Sequence, residues 1–176
     1  MTTASLPFVL KLPMAMTPTT APRGFADVYE RHYDAVFRAA LRVTGNPADA
    51  EDVLQTVFLR VLTHGEEAQA GPLPAAYFRR AAVNASVDLL RRRAAHAEAV
   101  YDDSATHAAV APPSLLKEQL RRAIATLDNE DATLFLLRYV EGMSNDELAR
   151  MFQLEKNNVA VRLHRIRQRL QAELAR

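Results

Sequence analysis

Cysteine and tryptophan are absent from the 176 residues, glycine is scarce at five, and no long apolar run occurs. The missing cysteine excludes disulfides, thiolate zinc sites and cysteine nucleophiles. A spanning helix needs about 18 consecutive apolar residues, so no direct membrane insertion is expected. Surplus charge is also small. The formal net charge is +1, so attraction to a polyanion has to come from how charge is distributed. Catalytic signatures are missing too: there is no phosphate-binding glycine loop, dinucleotide fingerprint, nucleophile elbow or HExxH. The five histidines (His32, His64, His96, His107, His164) lack metal-ligand spacing and are expected at exposed or capping positions. These absences argue against an enzyme and imply no metal and no cofactor.

What the chain has instead is helix-forming composition. There are 31 alanines, and apolar residues make up 49% against 24% charged, which suits an all-α globular protein. Proline divides it. Pro7, Pro13, Pro18 and Pro22 fall within the first 22 residues, so residues 1–23 read as a disordered tail. A signal peptide is the rival reading, but the stretch lacks a basic start and prolines interrupt it. Pro112-Pro113 closes a weakly patterned, alanine-rich stretch. Two small helical domains follow, over residues 24–95 and 114–176, joined by a flexible linker at 96–113.

In the first domain a helix is expected from about Gly24 to Thr44, with Phe25, Val28, Tyr29, Val36, Phe37, Ala40 and Leu41 on one stripe. Asn46-Pro47 then reads as a cap and first position. The second helix, Pro47 to about Thr63, buries Ala50, Val53, Leu54, Val57, Phe58, Val61 and Leu62, while Asp49, Glu51 and Asp52 crowd its start. The third, Pro74 to about Arg93, joins Tyr77 and Phe78 to Arg79, Arg80, Arg91, Arg92 and Arg93 against a single Asp88. Aromatics beside arginines suit a single nucleic-acid strand, through stacking and phosphate contacts, although a charge run is often no more than a solvated helix end.

The second domain is more specific. Leu116, Leu120, Ile124 and Leu127 line one expected helix; Phe135, Leu136, Tyr139 and Val140 line the next, which ends at Gly142. Ser144-Asn145-Asp146-Glu147 is a capping box opening a short helix, Gln153-Leu154-Glu155 a turn, and Lys156 the start of a long basic helix. That order describes a helix-turn-helix. With Val159, Leu163, Ile166 and Leu170 packed inward, the outward face carries Asn157, Val161, His164, Arg165 and Gln168, flanked by Asn158, Arg162 and Arg169. Amides and arginines are the side chains that read base edges and phosphates in a major groove.

Four strings resemble a known family: Asp49-Ala-Glu-Asp-Val-Leu-Gln-Thr-Val-Phe58, Tyr77 through Arg93, Phe135 through Gly142, and Val159 through Arg167. Their order and the bare two-domain plan resemble bacterial RNA polymerase sigma factors of the extracytoplasmic-function (ECF) group. The resemblance implies a promoter-specificity subunit acting in the cytoplasm. It implies docking of Asp49, Glu51, Asp52, Gln55 and Phe58 on the β′ clamp helices of core RNA polymerase, with the second domain meeting the β flap. Tyr77, Arg80, Asn84, Asp88, Arg91 and Arg92 would face the −10 strand, with a flipped base held by the loop from His64 to Pro74. Lys156, Asn157, Asn158, Val161, Arg162, Arg165 and Arg169 would face the −35 element of promoter DNA. An anti-sigma factor is a further partner the resemblance implies.

The chain departs from the family pattern at Thr56, where an acid is usual, at Tyr77 for tryptophan, at Asp128 for proline and at Gln153 for glycine. Ala160 and Val161 replace a frequent lysine and serine. Two rival functions fit the bare helix-turn-helix. An autonomous repressor or activator would bind palindromic duplex DNA without polymerase. A helical adaptor would bind protein alone.

Overall fold

The computed structural model describes residues 24–63, 74–100 and 113–175, and the side chains of all of these but 97–100 and 113–114. The expected N-terminal tail, the loop at 64–73 and most of the expected linker lie outside the described residues. Among the described residues the fold is all-α, with seven helices in chain order: α1 (Phe25–Thr44), α2 (Pro47–Thr63), α3 (Ala75–Val100), α4 (Pro113–Thr126), α5 (Asn129–Tyr139), α6 (Asn145–Phe152) and α7 (Lys156–Leu174).

Helices α1 to α3 pack on one another as the first domain. Gly45 ends α1 at φ 71°, a left-handed cap whose N–H bonds Leu41 O. Asn46 then caps α2, its Oδ1 accepting from Ala48 N at 2.9 Å. The buried stripe of α2 is the expected one, with Val53, Leu54, Val57 and Phe58 all at most 5% exposed. They pack against Val36, Ala39 and Ala40 of α1 and Phe78, Ala82 and Ala85 of α3. Each fully buried side chain of this size is worth about 1.5–3 kcal/mol, so this stripe fixes where α2 sits. His32 departs from expectation: it is buried, its ring stacked 4.0 Å from that of Phe78.

Two boundaries also differ. Helix α3 continues to Val100 rather than stopping near Arg93, so the expected linker begins later than residue 96. The segment from Ala94 to Ala99 lacks an apolar stripe, but four of its residues are alanine, and propensity carries the helix onward without one. In α4 the expected stripe is buried only in its second half. Ala123, Ile124 and Leu127 are in the core, whereas Leu116 is 56% exposed. Its first turns run past the packed part of the domain.

The second domain is set by its caps. Asp128 stands before α5, its side chain accepting from Asp131 N, so it supplies the stop that proline would have given. Gly142 turns the chain at φ 72°. Ser144 and Glu147 close the reciprocal capping box at the start of α6. Gln153 ends α6 at φ 55°, ψ 41°, the left-handed conformation that glycine adopts without strain. The inward stripe of α7 is Val159, Leu163, Ile166 and Leu170, each at most 4% exposed.

The two domains share a core. Val43, Val83, Val87 and Leu90 from α1 and α3 are buried together with Ala123 and Ile124 of α4, Leu127 just beyond it and Ala132 of α5. Arg42 Nη1 bonds Glu141 Oε1 at 2.7 Å, and Arg121 Nε donates to Val43 O at 3.0 Å. At Gly45 the left-handed φ of 71° is what favours glycine, and the Arg121 guanidinium lies where a side chain would begin.

Candidate nucleic-acid and polymerase interfaces

The outer face of α2 follows from its buried one. With Val53, Leu54, Val57 and Phe58 inside, Glu51, Asp52 and Gln55 are exposed. Leu59 extends the same face one turn further and is 59% exposed. Sequence reasoning missed Leu59, although it is the large apolar residue of α2 that the buried stripe leaves out. Two residues assigned to polymerase docking are not on this face. Phe58 is 3% exposed and contacts the rings of Phe25, Tyr29 and Phe78. Asp49 is also 3% exposed, and one of its oxygens accepts from Arg93 of α3 while the other is buried without a partner. Both hold α2 from within. Thr56 turns its hydroxyl back to Asp52 O at 2.8 Å, so it offers no charge where the family has an acid.

The six α3 residues assigned to the −10 strand divide into two groups. Tyr77 is 42% exposed and Arg92 is exposed. Asp88 reaches Arg60 of α2 at 3.8 Å. The other three are engaged by the second domain. Arg80 donates to Met151 O at 2.9 Å and lies 4.6 Å over the Phe152 ring. Asn84 Oδ1 accepts from the Thr133 hydroxyl at 2.6 Å. Arg91 donates to Ala125 O and Leu127 O. The loop assigned to a flipped base, apart from Pro74, lies outside the described residues.

On α7, Asn157, Asn158 and Arg165 are exposed and Val161 is 50% exposed, near the centre of the outward face as the stripe requires. The cations divide again. Lys156 pairs with Asp146 at 2.9 Å across the turn of the helix-turn-helix, with both side chains exposed. Arg162 is different in kind: it bonds Asp131 of α5 and reaches Glu130 at 2.9 Å. Arg169 takes the other Asp131 oxygen at 3.2 Å. Burial opposes ionisation of both neighbouring carboxyls. At Asp128 the bond from Asp131 N, with the Arg162 and Arg169 charges, outweighs it and holds the carboxyl below the ordinary aspartate range. At Asp131 burial prevails over the Arg162 bond and pushes the carboxyl up. Arg162 therefore spends its fork on the junction of α5 and α7. Arg165, by contrast, makes no ion pair among the described residues and stands beside Asn158 and Val161 on one open groove.

Comparison with known proteins agrees with this division into two modules. The sigma-70 region 2 family matches residues 28–96, and sigma-70 region 4 matches 117–170. The chain is 32% identical to the RNA polymerase sigma factor CarQ of Myxococcus xanthus, over 82% of this chain and 86% of that one. It is 31% identical to the ECF RNA polymerase sigma factor SigL of Mycobacterium tuberculosis, over 78% of this chain and 81% of that protein. Similarity to the ECF RNA polymerase sigma factor SigE of Mycolicibacterium smegmatis, 31% identical, covers 85% of this chain but spans only 61% of the relative's length.

Proposed function

The chain belongs to the sigma-70 family of RNA polymerase sigma factors, in the ECF group, and from its exposed faces we propose how it works as a promoter-specificity subunit. The observation that carries the reading is the separation of surface chemistry. An acidic and apolar face lies on α2, and an amide- and arginine-bearing face lies on α7, in different domains.

Core RNA polymerase is engaged through Glu51, Asp52, Gln55 and Leu59, whose carboxylates suit a basic helical partner such as the β′ clamp helices. The −35 element is read by Asn157, Asn158 and Val161, with Arg165 on a phosphate. The −10 strand meets the exposed Tyr77 and Arg92, joined by Arg80, Asn84 and Arg91 once these are freed. The protein acts in the cytoplasm beside its polymerase and brings no catalysis of its own. An anti-sigma factor is a further partner that membership of the group suggests. An autonomous repressor has no use for the α2 face, which is exposed and rich in contact groups yet belongs to the other domain from the DNA-reading helix.

The test is reconstitution. Purified protein added to core polymerase should direct initiation at promoters selected from a random library, with paired −35 and −10 elements in the survivors. Selection of palindromic duplex sites without polymerase would overturn the reading.

A further inference from the structure

We propose that residues 13–22 of this chain, which lie outside the described residues, seat on a row of aromatic side chains along α1. Such seating concerns the first domain alone and does not depend on the function proposed above.

The row shows in the rings. Phe25, Tyr29, Tyr33, Phe37 and Leu41 recur every fourth residue, so they are neighbours on one side of α1. Successive ring centroids from Phe25 to Phe37 are 6.1, 5.5 and 6.1 Å apart, and the last two rings are parallel to within 2°. Phe58 of α2 meets Phe25 and Tyr29, at 6.1 and 4.7 Å, and so supports one end of the row. Every member is only half-buried, although Val36, Ala39 and Ala40 of the same helix are fully enclosed in the core. Four adjoining rings that keep open surface make a shallow apolar face.

A face of this kind suits a proline-rich chain, because polyproline II segments dock on aromatic-lined grooves and have little order left to lose. The sequence just before α1 has that character. Pro13, Pro18 and Pro22 are unsuited to a helix interior, and no charge occurs between Lys11 and Arg23. A polyproline II helix has three residues per turn. In that register Pro13, Met16, Thr19 and Pro22 share one face, and Ala15, Pro18 and Ala21 share the next. Thr17, Thr20 and Arg23 fall on the third, after Met14. The segment is therefore amphipathic at this period, with two faces apolar but for Thr19.

Length and connection agree. From Phe25 to Leu41 the row rises about 24 Å at about 1.5 Å per residue. About eight residues of polyproline II match it at about 3.1 Å each, so residues 13–22 reach its whole length. Gly24 joins segment and row at φ 94°. An added Cβ there would meet nothing within 4 Å, so the glycine serves the turn and not the packing. A tight turn at the first ring is what a segment doubling back along α1 requires.

The chain has no tryptophan, so full-length Met16→Trp carries a single fluorescent reporter inside the segment. Acrylamide should quench it several-fold less than a peptide of residues 10–24 bearing the same substitution. Ala15→Glu, Pro18→Glu and Ala21→Glu, added together on one apolar face, should raise quenching to the peptide's level. Thr17→Glu with Thr20→Glu, on the polar face, should leave it low. Both sets precede α1 and so leave the packed helices intact. Tyr33→Ser with Phe37→Ser should free the reporter from the other side, with helicity read by circular dichroism, whereas Tyr33→Phe should not. Quenching of the full-length reporter equal to that of the peptide would overturn the seating. An equal effect of the two glutamate sets would refute the register that carries it. Protection that fades on dilution would assign the segment to a second copy and overturn seating within one molecule. No arm uses polymerase or DNA, so failure here leaves the promoter-specificity reading standing.

Discussion

Thr133 on α5 donates its hydroxyl to the side-chain oxygen of Asn84 on α3, a 2.6 Å bond across 49 residues of sequence. Thr133 is 1% exposed and Asn84 is half-buried. Thr133→Val keeps the shape and deletes the hydroxyl. It should lower stability by about 0.5–1.5 kcal/mol, the net worth of one hydrogen bond between part-buried groups. Thr133→Ser should retain most of the bond. Urea unfolding midpoints compare the three proteins, and a valine variant as stable as the parent would show the bond is not made in solution.

The two ends of the α2 string should fail in different ways. Glu51→Lys with Asp52→Lys changes exposed residues only, so helicity should be kept while affinity for core polymerase falls ten-fold or more. Phe58→Ala empties a site that is 3% exposed and should cost about 3–5 kcal/mol of stability. Circular dichroism on heating and a polymerase pull-down separate the outcomes. Full polymerase binding by the double charge reversal would remove this face from consideration.

That contrast shows how much was legible in the residues. Spacing alone put Phe58 on the buried stripe of α2, and the structure keeps it there; its assignment to docking came from the family string and ignored the spacing. Asp49 was harder, because the partner that draws it inward, Arg93, is 44 residues away on another helix. The local signals are legible in the residues themselves. Asn46, Asp128, Ser144 and Gly142 stop or start helices through their own backbones and near neighbours, and the α7 stripe needs only its period. The seam between domains left no trace in periodicity. Val83 and Val87 look like ordinary core of the first domain, and only the fold shows that they face α4 and α5.

His32 gives the stability a pH dependence. Burial, with the Arg31 charge adding, pushes its imidazole below the ordinary histidine value. The folded state therefore favours the neutral ring. This contribution is complete above the unfolded value of about 6.5 and is lost as pH falls through the lowered folded value. His32→Phe keeps a ring against Phe78 and removes the titration. Between pH 7 and pH 5 the parent should lose more stability than this variant, read as urea midpoints at each pH. Parallel losses would show that His32 is not the group responsible.

Gln153 carries strain that its family avoids with glycine. Its φ of 55° places a side chain in the left-handed region, which costs an L-residue about 1–2 kcal/mol. Glycine removes that cost but has more freedom to lose on folding, roughly 0.5–1 kcal/mol. Gln153→Gly should therefore stabilise the second domain by about 0.5–1 kcal/mol without altering −35 sequence preference. A lower unfolding midpoint would mean that the glutamine side chain makes up for its backbone.

The last expectation divides the cations of α7. Arg162 lies against Asp131 and Glu130 with its side chain 30% exposed. Arg162→Ala leaves the buried Asp131 carboxylate to Arg169 alone, so it should lower stability by about 1–3 kcal/mol. Arg165 is exposed and outside that cluster. Arg165→Ala should leave stability unchanged, weaken −35 binding across sequences, and reduce the salt slope by roughly one counterion, as loss of one phosphate contact requires. Val161 lies between these roles. Its methyl groups, 50% exposed, can meet a thymine methyl but cannot donate to a base. Val161→Ser should change base preference at one or two positions by about 1 kcal/mol or less and leave the salt slope alone. Promoter selection at two salt concentrations reads all three variants together. A salt slope that falls for Arg162→Ala but not for Arg165→Ala would mean that Arg162 leaves its carboxylates to grip DNA, and the junction of α5 and α7 would then have to loosen on binding.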